Sequence, residues 1–343
     1  MLLKKEKVSA LLDSIAARQD VFVPATVNGV AQFALYEAGG TRVQPDFDMV
    51  NTVMPPKDLL FPQTQKMYHF DVDANGSYRV REYDESRHQM AFGIRPCDMR
   101  SIVCLDEVFL TKGFVDEFYA NGREKLLTVS IGCTKAAETC FCESMGVDPK
   151  AAPNADVLLQ DCGDAYLVTA QTEKGQAEVA QWAAFVEDGE AEPLSCELTL
   201  AVSMEGVVQK LDNMYDSPIW DNLAVKCLNC GTCTYVCPTC HCFDISQENR
   251  MKDGVRFRCW DSCMFSEYTA MAGGHNPRPE KLERVRNRFM HKLNFFQHRY
   301  GMSLCVGCGR CVEKCPVALD ITRLIDDIGA YEVALDAASA SAE

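Results

Sequence analysis

Six of the sixteen residues in CLNCGTCTYVCPTCHC (227–242) are cysteines. Four of them, Cys227, Cys230, Cys233 and Cys237, follow the spacing C-x2-C-x2-C-x3-C-P, the ligand run of a [4Fe–4S] cluster. The run recurs as CVGCGRCVEKCP, with Cys305, Cys308, Cys311 and Cys315 ahead of Pro316. A cubane needs four thiolates converging on one small volume. The x2 spacings wrap a tight loop around three irons, and glycines such as Gly231, Gly307 and Gly309 let the backbone approach the sulfides. In two-cluster ferredoxins the fourth cysteine of each run crosses to the other cluster. Cluster 1 is therefore expected on Cys227, Cys230, Cys233 and Cys315, and cluster 2 on Cys305, Cys308, Cys311 and Cys237. One-electron transfer between such groups needs no general acid, base or nucleophile, and none is assigned.

Other chemistries fit less well. Zinc sites space their ligand pairs by a longer stretch than these doubled runs allow. Cys237-Pro238-Thr239-Cys240-His241 matches the C-x-x-C-H attachment signature of c-type haem, but the ferredoxin run already claims Cys237. Haem attachment would also go with an export signal, and MLLKKEKVSALLDSIAARQD has no apolar core of that kind; it reads as a short amphipathic helix. Nineteen cysteines in 343 residues, grouped by ligand spacing in a long chain, point to metal and not to a disulfide framework.

Two further groups of thiols lie outside the runs. Cys97, Cys133, Cys140 and Cys142 precede them, and the Cys-x-Cys of ETCFCES sits in a polar loop, which argues against inert buried thiols. Between Cys237 and Cys305 lie 67 residues, holding Cys240, Cys242, Cys259 and Cys263, where a minimal ferredoxin would have a short linker. Cys104, Cys162 and Cys196 show no partner pattern and read as plain thiols.

The elements that position these thiols divide near EDGEAEPLS (187–195), a polar surface connection. Ahead of it, VFVPA (21–25), YHFDV (68–72), QMAFGI (89–94), KLLTVSI (125–131) and AYLVTA (165–170) are strand candidates. With helical patterns at 101–110 and 174–186 they predict an α/β domain over residues 1–205. QMAFGI runs into Cys97 and KLLTVSI into Cys133, which places both cysteines just past strand ends, where open α/β sheets build their sites. Residues 206–325 are expected as a dicluster ferredoxin-like α+β domain with a helical insertion over 238–304. KLERVRNRFMHKLNFFQHRY (281–300) reads as one helix, since Phe289, Leu293, Phe296 and Tyr300 fall at i, i+4, i+7 and i+11. Residues 326–343, ending in ALDAASASAE, are expected as a flexible tail.

GIRPCDMRSI, TCFCESMG (139–146), VCPTCHCFD, WDSCM, AGGHN and CVGCGRC together resemble the iron–sulfur subunit of the anaerobic sulfite reductase and, equally, the beta (iron–sulfur) subunit of cytoplasmic sulfhydrogenases. The resemblance runs from MPPKDLLF (54–61) to the neighbourhood of residue 325. It implies an iron–sulfur subunit that passes electrons between a flavin- and NAD(P)H-binding subunit on one side and a separate terminal catalytic subunit on the other, of sulfite reductase, hydrogenase or heterodisulfide reductase type. Soluble ferredoxin is a further partner of that kind. Cys97, Cys133, Cys140 and Cys142 match the family motif and imply a third cluster with irregular spacing. Cys240, Cys242 and Cys263 also match it and imply three ligands of a fourth. For the remaining ligand Cys259 is the softer candidate. His275 is the alternative, because imidazole can replace thiolate on iron. The reading is a wire of three or four clusters.

The chain shows no G-x-G-x-x-G opening a helix after a strand and no Walker motif, so neither an FAD nor an NAD site is expected in it. A carrier without its own donor or acceptor site needs a partner on each side. The competing class is an autonomous polyferredoxin-like carrier, or an enzyme with a substrate site at an open cluster, either of which would turn over without partners. Net charge is −15, which disfavours nucleic acid and anionic membrane, and a cluster-sensing DNA-binding regulator with them. No apolar run approaches the length of a membrane span, and the chain is expected in the cytoplasm. Against this acidic background residues 281–300 carry Lys281, Arg284, Arg286, Arg288, Lys292 and Arg299. These are open to two readings: a solvated face with intrachain ion pairs, or electrostatic support for anionic, thiolate-ligated clusters.

Overall fold

The computed structural model describes residues 1–83 and 86–331. Its strands, in chain order, are β1 Leu2–Lys4, β2 Asp20–Val27, β3 Val30–Tyr36, β4 Thr64–Val72, β5 Tyr78–Glu82 and β6 Gln89–Ile94. They continue with β7 Leu126–Ile131, β8 Val157–Asp161, β9 Ala165–Ala170, β10 Val186–Glu187, β11 Phe243–Asn249 and β12 Asp253–Trp260. Eight of them form a mixed sheet in the order β10-β1-β9-β8-β7-β6-β2-β3. The run β2, β6, β7, β8 is parallel, and antiparallel pairs flank it. Parallel strands covered on both faces lose their polar alternation. That is why QMAFGI and LLTVSI stood out as continuous apolar runs; β7 is buried along its whole length. The amino-terminal segment expected as helix instead starts with the edge strand β1 and turns helical only over Val8–Ala16.

The second sheet, β11-β12-β4-β5, is antiparallel and joins both halves of the chain. Residues 243–260, expected within a helical insertion, are the hairpin β11–β12, and β12 pairs with β4 from the amino-terminal half. The sheet therefore crosses the boundary expected between residues 205 and 206. The hairpin escaped notice because FDISQEN is mostly exposed and polar, so no apolar period of 2 marks it. The helix expected over 281–300 is α-helical at Lys281–Met290 and Phe296–Tyr300, with a π-helical turn at His291–Phe295 between. Helix Ile321–Ala330 occupies the start of the expected tail and buries Leu324, Ile325 and Ile328. ALDAASASAE (334–343) lies outside the described residues.

Candidate iron–sulfur sites

Cys227, Cys230, Cys233 and Cys315 line one cavity, together with Gly231 and Arg288. Three of these thiols come from the first run and the fourth from the second. Gly231 turns the chain at φ +74°, and a Cβ there would stand 2.7 Å from Cζ of Phe265. The conformation and the space both demand glycine. Cys237, Cys305, Cys308 and Cys311 form the companion group. Burial pushes the Cys311 thiol up, Arg288 pulls it down, and Cys237, Cys305 and Cys308 add to the rise, so all four sense one another.

Cations face these thiols from the 281–300 helix. Lys292 Nζ donates to Thr239 Oγ1 at 2.6 Å and to Cys237 Sγ at 3.2 Å. Burial works against its charge, but Cys237 and Cys240 outweigh burial and raise its pKa. The π-turn helps place it, because Lys292, Leu293 and Asn294 are consecutive and all buried; π-turns are frequent at functional sites. One turn earlier Arg288 is 4% exposed, and its Nε and Nη1 have no hydrogen-bond partner among the described residues. A solvated face of ion pairs describes Arg299 and Arg286, whose Nη1 lies 3.5 Å from Asp216 Oδ1, but not Arg284, Arg288 and Lys292, which are buried. Removing one such cation from water costs several kcal/mol unless an anion answers it. Thiolate-only pockets, glycine-cradled loops and buried cations with unused donors are the donor set of [4Fe–4S] clusters, so the residues fit that group. When bound, each cluster supplies a one-electron couple.

The amino-terminal thiols gather where adjacent parallel strands end. Cys97 lies in the first turn of helix Pro96–Leu110, directly after β6, and Cys133 follows β7. Both line one cavity with Cys140 and Cys142, and Cys196 and Cys308 line it too. Burial is the main cause that raises Cys133 to about 11 and Cys142 to about 12. Asn51 reaches three of these residues. Its Nδ2 donates to the Cys308 carbonyl at 2.9 Å and approaches Cys140 Sγ at 3.8 Å, while its Oδ1 lies 3.8 Å from Cys97 Sγ. The second ferredoxin loop packs directly on this site. Phe141 N donates to Gly307 O at 2.8 Å, and a Cβ on Gly307, at φ +66°, would stand 2.5 Å from Cys142 Cα. A buried ion pair locks the same junction, Arg310 Nη1 to Asp98 Oδ1 at 2.7 Å. Cys196, read from the sequence as a plain thiol, was missed because no spacing ties it to residues 133–142; only the folded chain returns it to them.

Residues 226–319 match a family model described as a 4Fe-4S dicluster domain. The chain is also 33% identical over 292 residues to sulfhydrogenase 2 subunit beta of Pyrococcus furiosus, across 82% of this chain and 84% of that one. This chain belongs to the sulfhydrogenase beta-subunit family. It is an iron–sulfur electron-transfer subunit of an oxidoreductase, and as a member of that family it works with redox partners. No solved structure matches it. Among the described residues no helix is long and apolar enough to cross a membrane.

The remaining thiols of this beta-family chain are brought together only in part. Cys242 hydrogen-bonds with Cys263 and with Tyr268; the Cys263 bond, ahead of burial, holds Cys242 down at about 6. Cys240 hydrogen-bonds with Cys237 of the first run. Cys259 does not join them. On β12 it stands between Arg258 and Trp260, both buried, and strand alternation turns it to the other face, in register with Asp244 and Thr64. His275 is exposed, and its carbonyl accepts from Met271 N at 2.8 Å. Among the described residues no three His, Cys, Asp or Glu side chains converge to hold a single metal ion. Sequence reasoning also passed over Lys57 of MPPK. It is buried, donates to the Cys240 carbonyl at 2.9 Å and lies over the Trp260 ring at 4.0 Å. Burial lowers it to about 8 against the opposing pull of Cys240 and Cys237.

Proposed function

We propose that this subunit conducts electrons through three [4Fe–4S] clusters in line. The first sits on Cys97, Cys133, Cys140 and Cys142; the middle one on Cys305, Cys308, Cys311 and Cys237; the outer one on Cys227, Cys230, Cys233 and Cys315. The observation that carries the order is the position of Cys308. It belongs to the middle group and also lines the amino-terminal cavity, so the two sites share a wall. Cys237 and Cys315, each contributed by the opposite run, tie the middle group to the outer one. Cys240, Cys242 and Cys263 are left out of the wire because Cys259 and His275 stand apart from them.

The outer end reaches the surface. Cys230 is exposed, and Leu228 and Val225 beside it are 63% and 80% exposed, an apolar margin suited to a docked partner. At one end of the path stands a flavin- and NAD(P)H-binding subunit, and at the other a terminal catalytic redox subunit, in the cytoplasm. The test is anaerobic affinity purification of the full chain from its native host. Co-purification of both a metal-bearing catalytic subunit and a flavin subunit is expected. A chain that emerges alone, loaded and active in dye reduction, would refute the conduit and establish an autonomous carrier.

A further inference from the structure

We propose that Arg288 is the fixed cation that sets the reduction potentials of the two ferredoxin-type clusters jointly, and through them the electron step between the middle and outer sites. The side chain lines the outer cysteine cavity yet reaches the thiols of the middle group as well. It is 4% exposed, and two of its donors, Nε and Nη1, are unused. The neighbouring buried arginines are occupied differently. Arg284 Nη1 bonds the carbonyls of Arg278 and Pro279 at 3.0 and 2.6 Å, and Arg310 is committed to Asp98. Arg284 leaves its Nε unused but does not line the outer cavity. Of the three, Arg288 is the one that both lines that cavity and has donors to spare. Lys292, four residues on and hence on the same helix face, holds Cys237 of the middle group. One face of the 281–300 helix thus presents a cation to each side of the junction.

The electrostatic consequence follows directly. Reduction adds one negative charge to a cluster, and a nearby fixed cation in a low-dielectric interior stabilises the reduced form. Guanidinium stays protonated across the working pH range, so this bias is permanent. Its forked donors can reach sulfur as well as supply charge. A cation shared between two sites moves both potentials in the same direction and keeps them close, which favours fast exchange between them.

This inference rests on the proposed cluster assignment, and the experiment separates the two. Anaerobically prepared full-length chain is titrated potentiometrically and followed by electron paramagnetic resonance, with iron and sulfide counted in each sample. If the wild-type chain lacks two cubane signals from the ferredoxin motifs, the assignment itself fails before any variant is compared. With both present, Arg288→Gln is expected to lower the reduced fraction of the outer cluster at least about tenfold at fixed potential, about 59 mV for a one-electron couple. The middle cluster should move the same way. Arg288→Lys, which keeps the charge, is expected to stay within about threefold of wild type on the same scale. Full iron content with unmoved potentials in Arg288→Gln overturns the proposal, as do equal shifts in Arg288→Gln and Arg288→Lys. If neither Arg288→Gln nor Arg288→Met assembles its clusters, Arg288 is a scaffold residue and the proposal falls.

Discussion

Replacing Asp98 with alanine should destabilise the junction between the amino-terminal site and the second ferredoxin loop far more than an ordinary surface ion pair would suggest. The Arg310 and Asp98 side chains are each 2% exposed, and they meet through two bonds, Nη1–Oδ1 at 2.7 Å and Nη2–Oδ2 at 2.8 Å. Arg310 Nε also donates to the Thr52 carbonyl at 2.6 Å, so the guanidinium cannot swing out to water without breaking a third contact. Removing the carboxylate strands a buried charge, a loss of about 3–5 kcal/mol. With an unfolding entropy of roughly 2.1 cal/mol/K per residue, a cooperative unit of this length loses about 1.4 °C per kcal/mol, hence about 4–7 °C in Tm. The assay is anaerobic calorimetry on samples matched for iron content, with loss of cluster absorbance as a second probe. The double variant Asp98→Leu/Arg310→Met should cost less than the two single losses added, because it leaves no uncompensated charge. A shift below about 1 °C in Asp98→Ala, or strict additivity in the double variant, would refute the reasoning.

Three further outcomes are expected. Wild-type chain prepared anaerobically should hold about 12 iron atoms and as much acid-labile sulfide, whereas about 8 would eliminate the amino-terminal cluster. Five thiols of the amino-terminal half line a site that needs four, so Cys196→Ser should keep its iron while Cys142→Ser loses about 4 atoms; iron loss in Cys196→Ser would transfer the ligand role to it. Gly307→Ala should abolish the spectroscopic signals of both the amino-terminal and middle clusters, because its Cβ would meet the Cys142 backbone at 2.5 Å in a left-handed conformation; intact signals would show that the two loops can separate.

The ligand runs were legible because cluster chemistry is written in short spacings: a tight loop holds three thiols whatever surrounds it. The parallel strands β6 and β7 were legible for a related reason, since burial on both faces leaves an unbroken apolar run ending at Cys97 and Cys133. The α/β character of the first half and the dicluster domain of the second could thus be read from residues close together in the chain. Four things could not. Cys196 enters the amino-terminal cavity through chain return alone, and β11–β12 is a polar hairpin recognisable only by its partner β4. The rejection of Cys259 depends on which face of β12 looks inward. The basic residues of 281–300 looked like a solvated face, and only packing against two thiol groups shows that Arg288 and Lys292 are buried counter-charges. Local spacing determines which residues can bind iron; the tertiary fold decides which of them meet and which charges they meet, because distance, burial and dielectric belong to the folded chain and not to neighbours in sequence.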